Sequence, residues 1–207
     1  MCHHFRLLNE ARLLAKQFKA TIADDQLALP FGDFYPLNQV PVIRIDDLGE
    51  REIVLMEWGL LPFWWRPSGK QTSRKAYQRK CFNARGETID TKPTFRAAFK
   101  SRRCLIPATE FMEKGHYFHL PENELFAFAG LWEHWQWDGE TVESCTIVTT
   151  TPNAEVQEVG HHRMPVALTK DNDLESWLDS EIVEREALER LLLPSADGTF
   201  QTRKTPE

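Results

Sequence analysis

The sequence predicts an α+β protein, a single domain on a largely antiparallel sheet or open β-barrel with flanking helices. Three observations carry that expectation. Short apolar or β-branched runs recur in pairs separated by turn residues, the pattern of hairpins. Helical periodicity is concentrated toward the two ends of the chain. No repeat, low-complexity block or linker divides the 207 residues, a length that suits one large domain or two small ones. That domain is expected over residues 1–193, with 194–207 as a polar, frayed tail.

In chain order, Asn9 is placed to cap a first helix that carries Ala11, Leu13, Leu14 and Phe18 on its apolar side. Asp24 to Pro41 is rich in turn formers and reads as loop. Val40 to Ile45 and Ile53 to Trp58 are strand-like runs on either side of Asp47-Leu48-Gly49 and read as a hairpin. Gly59 to Ser73, with Pro62, Pro67 and Gly69 among Trp64 and Trp65, reads as an exposed loop with aromatic anchors. A short helix is expected over Thr94 to Lys100, then a strand at Cys104 to Ile106. Phe111 to Glu113 and Tyr117 to Leu120 flank Lys114-Gly115 as a second hairpin. Leu125 to Trp132 and Ser144 to Thr151 form a third, turned at Asp138-Gly139. Asn153 caps a brief helix through Val159, and Val166 to Leu168 is a short strand. Helices follow around Leu174 to Leu178 and Ile182 to Leu192.

Hydrophobic residues make up 42 % and charged residues 27 % of the chain, which excludes wholesale disorder. No apolar run approaches the roughly 20 residues of a membrane span, and the N-terminus lacks a secretory signal. A cytoplasmic location is expected, nucleoid-associated in a prokaryote. The net charge of −6 conceals a polarity. Arg66 to Arg103 holds twelve Lys or Arg, among them Lys70, Arg74 and Lys75, against Glu87 and Asp90, a net +10; the remainder carries −16. Such a segment is a candidate polyanion footprint; the alternative is a solubilising loop whose charges pair with the acidic remainder.

Four cysteines stand apart, at Cys2, Cys81, Cys104 and Cys145, with no zinc or disulfide pattern. The last three read as buried small hydrophobes. Cys2 becomes the terminal residue once Met1 is removed. A terminal cysteine joins an amine of pKa near 8 to a thiol near 8.5, so an aldehyde can form a Schiff base and then close a thiazolidine ring. The alternative is a cysteine without a role at a variable start. His3-His4 and His161-His162 lack further ligands at fixed spacing, so neither a metal nor any other cofactor is expected. Asn83-Ala84-Arg85 offers an orienting amide and a phosphate-binding guanidinium, or only a capped turn. Glu113, among aromatics, suits acid–base work, or is a solvated edge residue. His161 can shuttle protons, though most histidines do not.

These pieces fall into one order: Met1-Cys2; Val40-Pro41-Val42-Ile43; Met56-Glu57-Trp58-Gly59-Leu60-Leu61-Pro62; Phe82 to Thr88 followed by Phe95 to Phe99; Arg103 to Ala108 with Phe111-Met112-Glu113; Cys145 to Thr150; His161-His162-Arg163-Met164-Pro165. In this the sequence resembles, from residue 1 to about 180, the SRAP family, abasic-site-processing proteins first named SOS response-associated peptidases. The resemblance implies an SRAP-like fold and a partner, single-stranded DNA carrying abasic sites. It implies Cys2 as cross-linking nucleophile, Asn83 as the residue orienting terminus and sugar, and Glu113 with His161 as the acid–base pair. Arg85 matches a phosphate-contacting arginine. Arg163, Arg74 and Lys75 are expected beside it on DNA, with Trp64 and Trp65 stacking on bases or anchoring the loop. AP-lyase activity and self-removal of Met1 are further implied, and a monomer is expected. The chain departs from the family pattern at His3-His4, at Lys114 and near Asp33 to Pro36. Two rivals are an N-terminal-nucleophile amidohydrolase, which requires an αββα sandwich, and a non-catalytic single-stranded DNA-binding module.

Overall fold

A computed structural model describes residues 2–24, 26–69 and 72–205; Met1 and Lys70, named above, lie outside them. The chain opens with β1 (Phe5–Leu7), α1 (Ala11–Phe18), β2 (Thr21–Ile22), β3 (Gly32–Phe34), β4 (Gln39–Ile45) and β5 (Arg51–Trp58). Then come α2 (Arg74–Gln78), β6 (Asn83–Arg85), α3 (Arg96–Ser101), β7 (Arg103–Ala108), β8 (Glu110–Glu113) and β9 (His116–His119). The long strands β10 (Phe126–Trp137) and β11 (Glu140–Thr150) follow. The rest is α4 (Ala154–Glu158), β12 (Met164–Pro165), β13 (Ala167–Leu168), α5 (Asp171–Leu178), α6 (Arg185–Leu188) and β14 (Gln201–Lys204).

β11, β10, β7, β4 and β5 run side by side as antiparallel neighbours. A parallel contact of β11 with β5, Cys145 opposite Trp58, closes them into a barrel. Closure removes the free edges that an open sheet would leave. The α+β expectation therefore holds, and the barrel is closed, not open. An αββα sandwich, which the amidohydrolase reading needs, is not what this topology builds. Gly59 turns the chain out of the barrel at φ +147°, where an added Cβ would stand 2.9 Å from the Gln78 carbonyl oxygen.

The second sheet, in the order β14-β9-β8-β1-β3, packs against this barrel. The chain passes between them at Thr109, whose N–H donates to the Arg6 carbonyl at 2.8 Å. Phe5 and Phe111 project from this sheet to meet Trp58, Phe126 and Phe128 of the barrel, with Phe118 stacked on Phe111, every one of them buried. Burying each such ring contributes about 1.5–3 kcal/mol, so this aromatic layer fixes the sheet that carries the N-terminal strand and Glu113.

The three predicted hairpins form, and the β10–β11 turn has Asp138 and Gly139 both at positive φ, 49° and 77°, as a type I′ turn requires. Asn153 caps α4, its Oδ1 accepting from Val156 N–H at 3.2 Å. Other expectations need correction. Glu10, not Asn9, occupies the cap position of α1, and Leu13 is exposed. The Asp24 to Pro41 loop contains β3, a short strand recruited by β1. Within the expected tail, Gln201–Lys204 do not fray: they form β14, paired with β9 and anchored by the buried Phe200. Cys81, Cys104 and Cys145 are buried as expected. Among the described residues no helix is long and apolar enough to cross a membrane.

Candidate active site at the open end of the barrel

The C-terminal end of β11 is gripped by two short strands. β6 pairs parallel to it, Asn83 opposite Ile147, and β12 pairs antiparallel, Pro165 opposite Thr149. The residue types on those strands thereby converge with the N-terminal segment on the same end of the barrel. Asn83 Nδ2 donates to the Cys2 carbonyl at 2.7 Å. Its Oδ1 is buried without a hydrogen-bond partner among the described residues, an acceptor left open where an amine or hydroxyl can approach.

Cys2 is fully buried, its thiol directed toward the His4 carbonyl at 3.7 Å. Burial, seconded by the charge of Glu113, pushes that thiol well above its ordinary pKa. Glu113 ends β8, where Lys114 turns the chain at φ 51°. It is 1 % exposed, and burial pushes its carboxyl up to about 7. His161 Nε2 lies 3.3 Å from Glu113 Oε2, and its Nδ1 is 2.7 Å from the Arg163 carbonyl. A carbonyl only accepts, so Nδ1 carries a proton and Nε2 faces the carboxyl. Burial lowers the imidazole pKa. The two groups therefore share one proton near neutrality.

Arg163 is almost wholly buried. Its guanidinium binds Glu87 at 2.8 and 2.9 Å, a bidentate pair, and donates to Thr149 Oγ1 and the Thr149 carbonyl. It clamps the His161 loop to β11 and to the turn that follows β6, and does not present itself to solvent as a DNA contact requires. Arg85 does: it is exposed on β6, two residues past Asn83 and hence on the same face.

The remaining expected DNA contacts are not gathered here. Trp65 is buried with Leu61, Trp135 and Val142, so of the two alternatives it anchors the loop and does not stack on bases. Trp64 is half exposed, its indole N–H donating to the Pro93 carbonyl at 3.2 Å. Arg74 pairs with Glu57 and Glu140 at 2.9 and 2.7 Å, and Lys75 with Glu57 at 2.9 Å. Trp65 and Arg74 thus lie toward the hairpin end of β11. Val142 is seven residues from Thr149, about 23 Å at the ordinary strand rise. Arg102 is likewise tied to Glu133, and Arg103 to the carbonyls of Phe99, Trp177 and Asp179. A good part of the basic segment serves the fold; Arg79, Lys80, Arg85, Lys92, Arg96 and Lys100 remain exposed. Sequence reasoning missed His4 and Asp33 as a pair, 2.6 Å apart beside Cys2; both were noted singly, and nothing local joins them.

The chain matches the family described as SOS response associated peptidase (SRAP) over residues 1–206. It is 35 % identical over 209 aligned residues to abasic site processing protein YoqW of Bacillus subtilis, covering 94 % of this chain and 87 % of that one. It is 28 % identical to abasic site processing protein HMCES of Gallus gallus over 82 % of this chain and 57 % of the relative. Among solved structures, a Bacteroides thetaiotaomicron protein superposes with a TM-score of 0.84 at 24 % identity, covering 100 % of this chain and 93 % of that one. A Bordetella bronchiseptica protein gives 0.79 at 24 % identity, with both chains fully covered. With its barrel, Cys2 held by Asn83, Glu113 paired with His161, and a family match over residues 1–206, the chain belongs to the SRAP family.

Proposed function

We propose that this protein processes abasic sites in single-stranded DNA, capturing the lesion covalently through Cys2. The observation that carries the reading is the convergence of Cys2, Asn83, Glu113 and His161 on one end of the barrel, in a chain whose relatives are named abasic site processing proteins. Removal of Met1, by the protein itself or by a methionine aminopeptidase, precedes the chemistry and frees the Cys2 amine.

The ring-opened abasic sugar presents an aldehyde. The Cys2 amine adds to it, and the carbinolamine loses water to give a Schiff base. Glu113, its carboxyl held partly protonated by burial, donates the proton that the departing hydroxyl needs. The Cys2 sulfur then attacks the imine carbon: the C–S bond forms, the C=N pair moves to nitrogen, and the thiol proton passes to that nitrogen through the Glu113–His161 pair. A thiol kept protonated by burial favours this order, amine first and sulfur second. Left untrapped, the Schiff base can lose the 3′ phosphate by β-elimination, which is strand cleavage. Asn83 holds the terminus through the Cys2 carbonyl, and Arg85 is placed for a flanking phosphate.

Protein incubated with single-stranded DNA carrying one abasic site should give a shifted band on a denaturing gel, absent with intact DNA. Cys2→Ala should abolish that band while leaving reversible binding within a few-fold of native. A band that persists in Cys2→Ala overturns the mechanism. Failure of the native protein to capture, with its terminus verified as Cys2, leaves the non-catalytic binding module.

A further inference from the structure

Beside the candidate nucleophile, on the second sheet, stands a polar and aromatic cluster to which the reaction scheme gives no role. His4 is 4 % exposed, with Nε2 2.6 Å from Asp33 Oδ1. Arg6 Nε holds the same carboxylate at 2.7 Å and keeps it below the ordinary carboxylate range, so it acts as an acceptor. One face of the His4 ring lies against Tyr35, centroids 4.5 Å apart and planes 18° from parallel. Tyr117 meets the same ring edge-on at 5.7 Å. The Tyr35 loop is itself pinned. Tyr35 N–H donates to Asn38 Oδ1 at 2.8 Å, and Leu37 N–H donates to the Trp58 carbonyl at 2.7 Å.

Tyr35 nevertheless remains 46 % exposed. A ring fixed from one side and open on the other is a stacking platform with its ordering entropy already lost. Its position is close to the chemistry: His4 follows Cys2 by two residues, and the His4 carbonyl accepts from Met112 N–H, one residue before Glu113. The charges around it are spent. Arg6 is divided between Asp33 and Glu110, and Arg203 is held by Glu110. A phosphate therefore gains little here, whereas the flat face of a base gains stacking that no cation need supply.

We propose that Tyr35, backed by His4 and Asp33, stacks against a nucleobase adjacent to the abasic sugar and so sets how the strand enters the site. The inference rests on the reading of Cys2 given above, and names a subsite of the same DNA.

The test uses single-stranded DNA carrying a tetrahydrofuran abasic analogue, which has no aldehyde and binds reversibly, with 2-aminopurine as its neighbour on either side. Native protein and Tyr35→Phe should quench the 2-aminopurine on one of the two sides. Tyr35→Leu, which keeps His4 covered but has no aromatic face, should lose the quench and bind about tenfold more weakly. Equal quenching by Tyr35→Leu, or quenching that persists with 2-aminopurine four nucleotides away, overturns the platform. A parallel arm with aldehyde-bearing DNA separates the two readings. Absence of covalent capture by the native protein defeats the Cys2 mechanism, whereas capture together with unchanged Tyr35→Leu binding defeats the stacking step alone.

Discussion

Glu113 Oε2 and His161 Nε2 stand 3.3 Å apart, and the Nδ1 proton of His161 is already committed to the Arg163 carbonyl. One further proton serves both groups, at a site where burial favours the neutral carboxyl and the neutral imidazole alike. Schiff-base chemistry on a sugar aldehyde calls for such a pair, since protons are given and taken in turn at the same carbon.

Under the proposed mechanism, the pH dependence of covalent capture follows from those groups. The rate should rise as the Cys2 amine loses its proton, with a reference pKa near 8. It should fall on the alkaline side as Glu113, lifted to about 7, ionises. A narrow bell is expected, its limbs belonging to the coupled system and not to single residues. Glu113→Gln should lower the single-turnover rate by about a hundredfold or more and remove the alkaline limb. A native profile that keeps rising to pH 9 would sink the role of Glu113 as acid.

The same burial has a stability consequence. The folded state keeps the Glu113 proton up to about pH 7, whereas an ordinary glutamate releases it near 4.5. Across that window the folded state binds more protons than the unfolded one, so stability falls as pH rises, and the loss is complete above the folded pKa. Glu113→Gln removes the ionisation and should stabilise the protein by about 1–3 kcal/mol at pH 8, with the gain shrinking toward pH 5. Urea denaturation of both proteins at the two pH values measures it. Equal stability at both would show that the carboxyl is not held neutral by its surroundings.

Arg163 and Arg85 allow a structural role to be tested apart from the proposed DNA contact. Arg163→Ala leaves Glu87 and the Thr149 carbonyl without their partner and should lower stability by about 2 kcal/mol, a figure below that of a fully buried pair because Glu87 is 47 % exposed. At temperatures where it remains folded, its salt dependence of DNA binding should match the native slope. Arg85→Ala should leave stability within about 0.5 kcal/mol and reduce the log–log salt slope by about 1. Opposite results would exchange the two roles.

Much of this was legible in residues whose effect is local. Asp138-Gly139 and Asn153 act on their own backbone, so the turn and the cap could be read directly. The candidate site was suggested only by the order its motifs keep along the chain; nothing near Glu113 announces that His161, 48 positions away, will lie within 3.3 Å of it. The basic segment left two readings open because charge in sequence does not say which cations find carboxylates. Arg74 and Lys75 are taken by Glu57 and Glu140, from strands that only the closed barrel brings alongside. Trp64 and Trp65 are neighbours with opposite fates, set by the small cluster under the loop. His4 and Asp33, 29 positions apart, prove to be hydrogen-bonded to one another.

β14 was the least legible element, and it supports the most direct test of the tail. Gln201–Lys204 is exposed at every position, so no alternation marks it as a strand. What holds it is Phe200, buried against Phe111 and Phe126 at 5.3 and 5.4 Å, together with the register Thr202 opposite Phe118. Arg203 adds an ion pair to the buried Glu110 at 2.6 Å. Phe200→Ala should therefore destabilise the whole domain by about 3 kcal/mol, and truncation after Ala196 should do at least as much. Arg203→Ala should have a smaller effect than either, since Arg6 still reaches Glu110. Because β8 lies between β9 and β1 and ends at Glu113, loosening β14 should also raise hydrogen exchange along β9 and β8 before the barrel strands respond. A tail that can be removed with no change in thermal midpoint would mean that the second sheet holds the site without its outer strand.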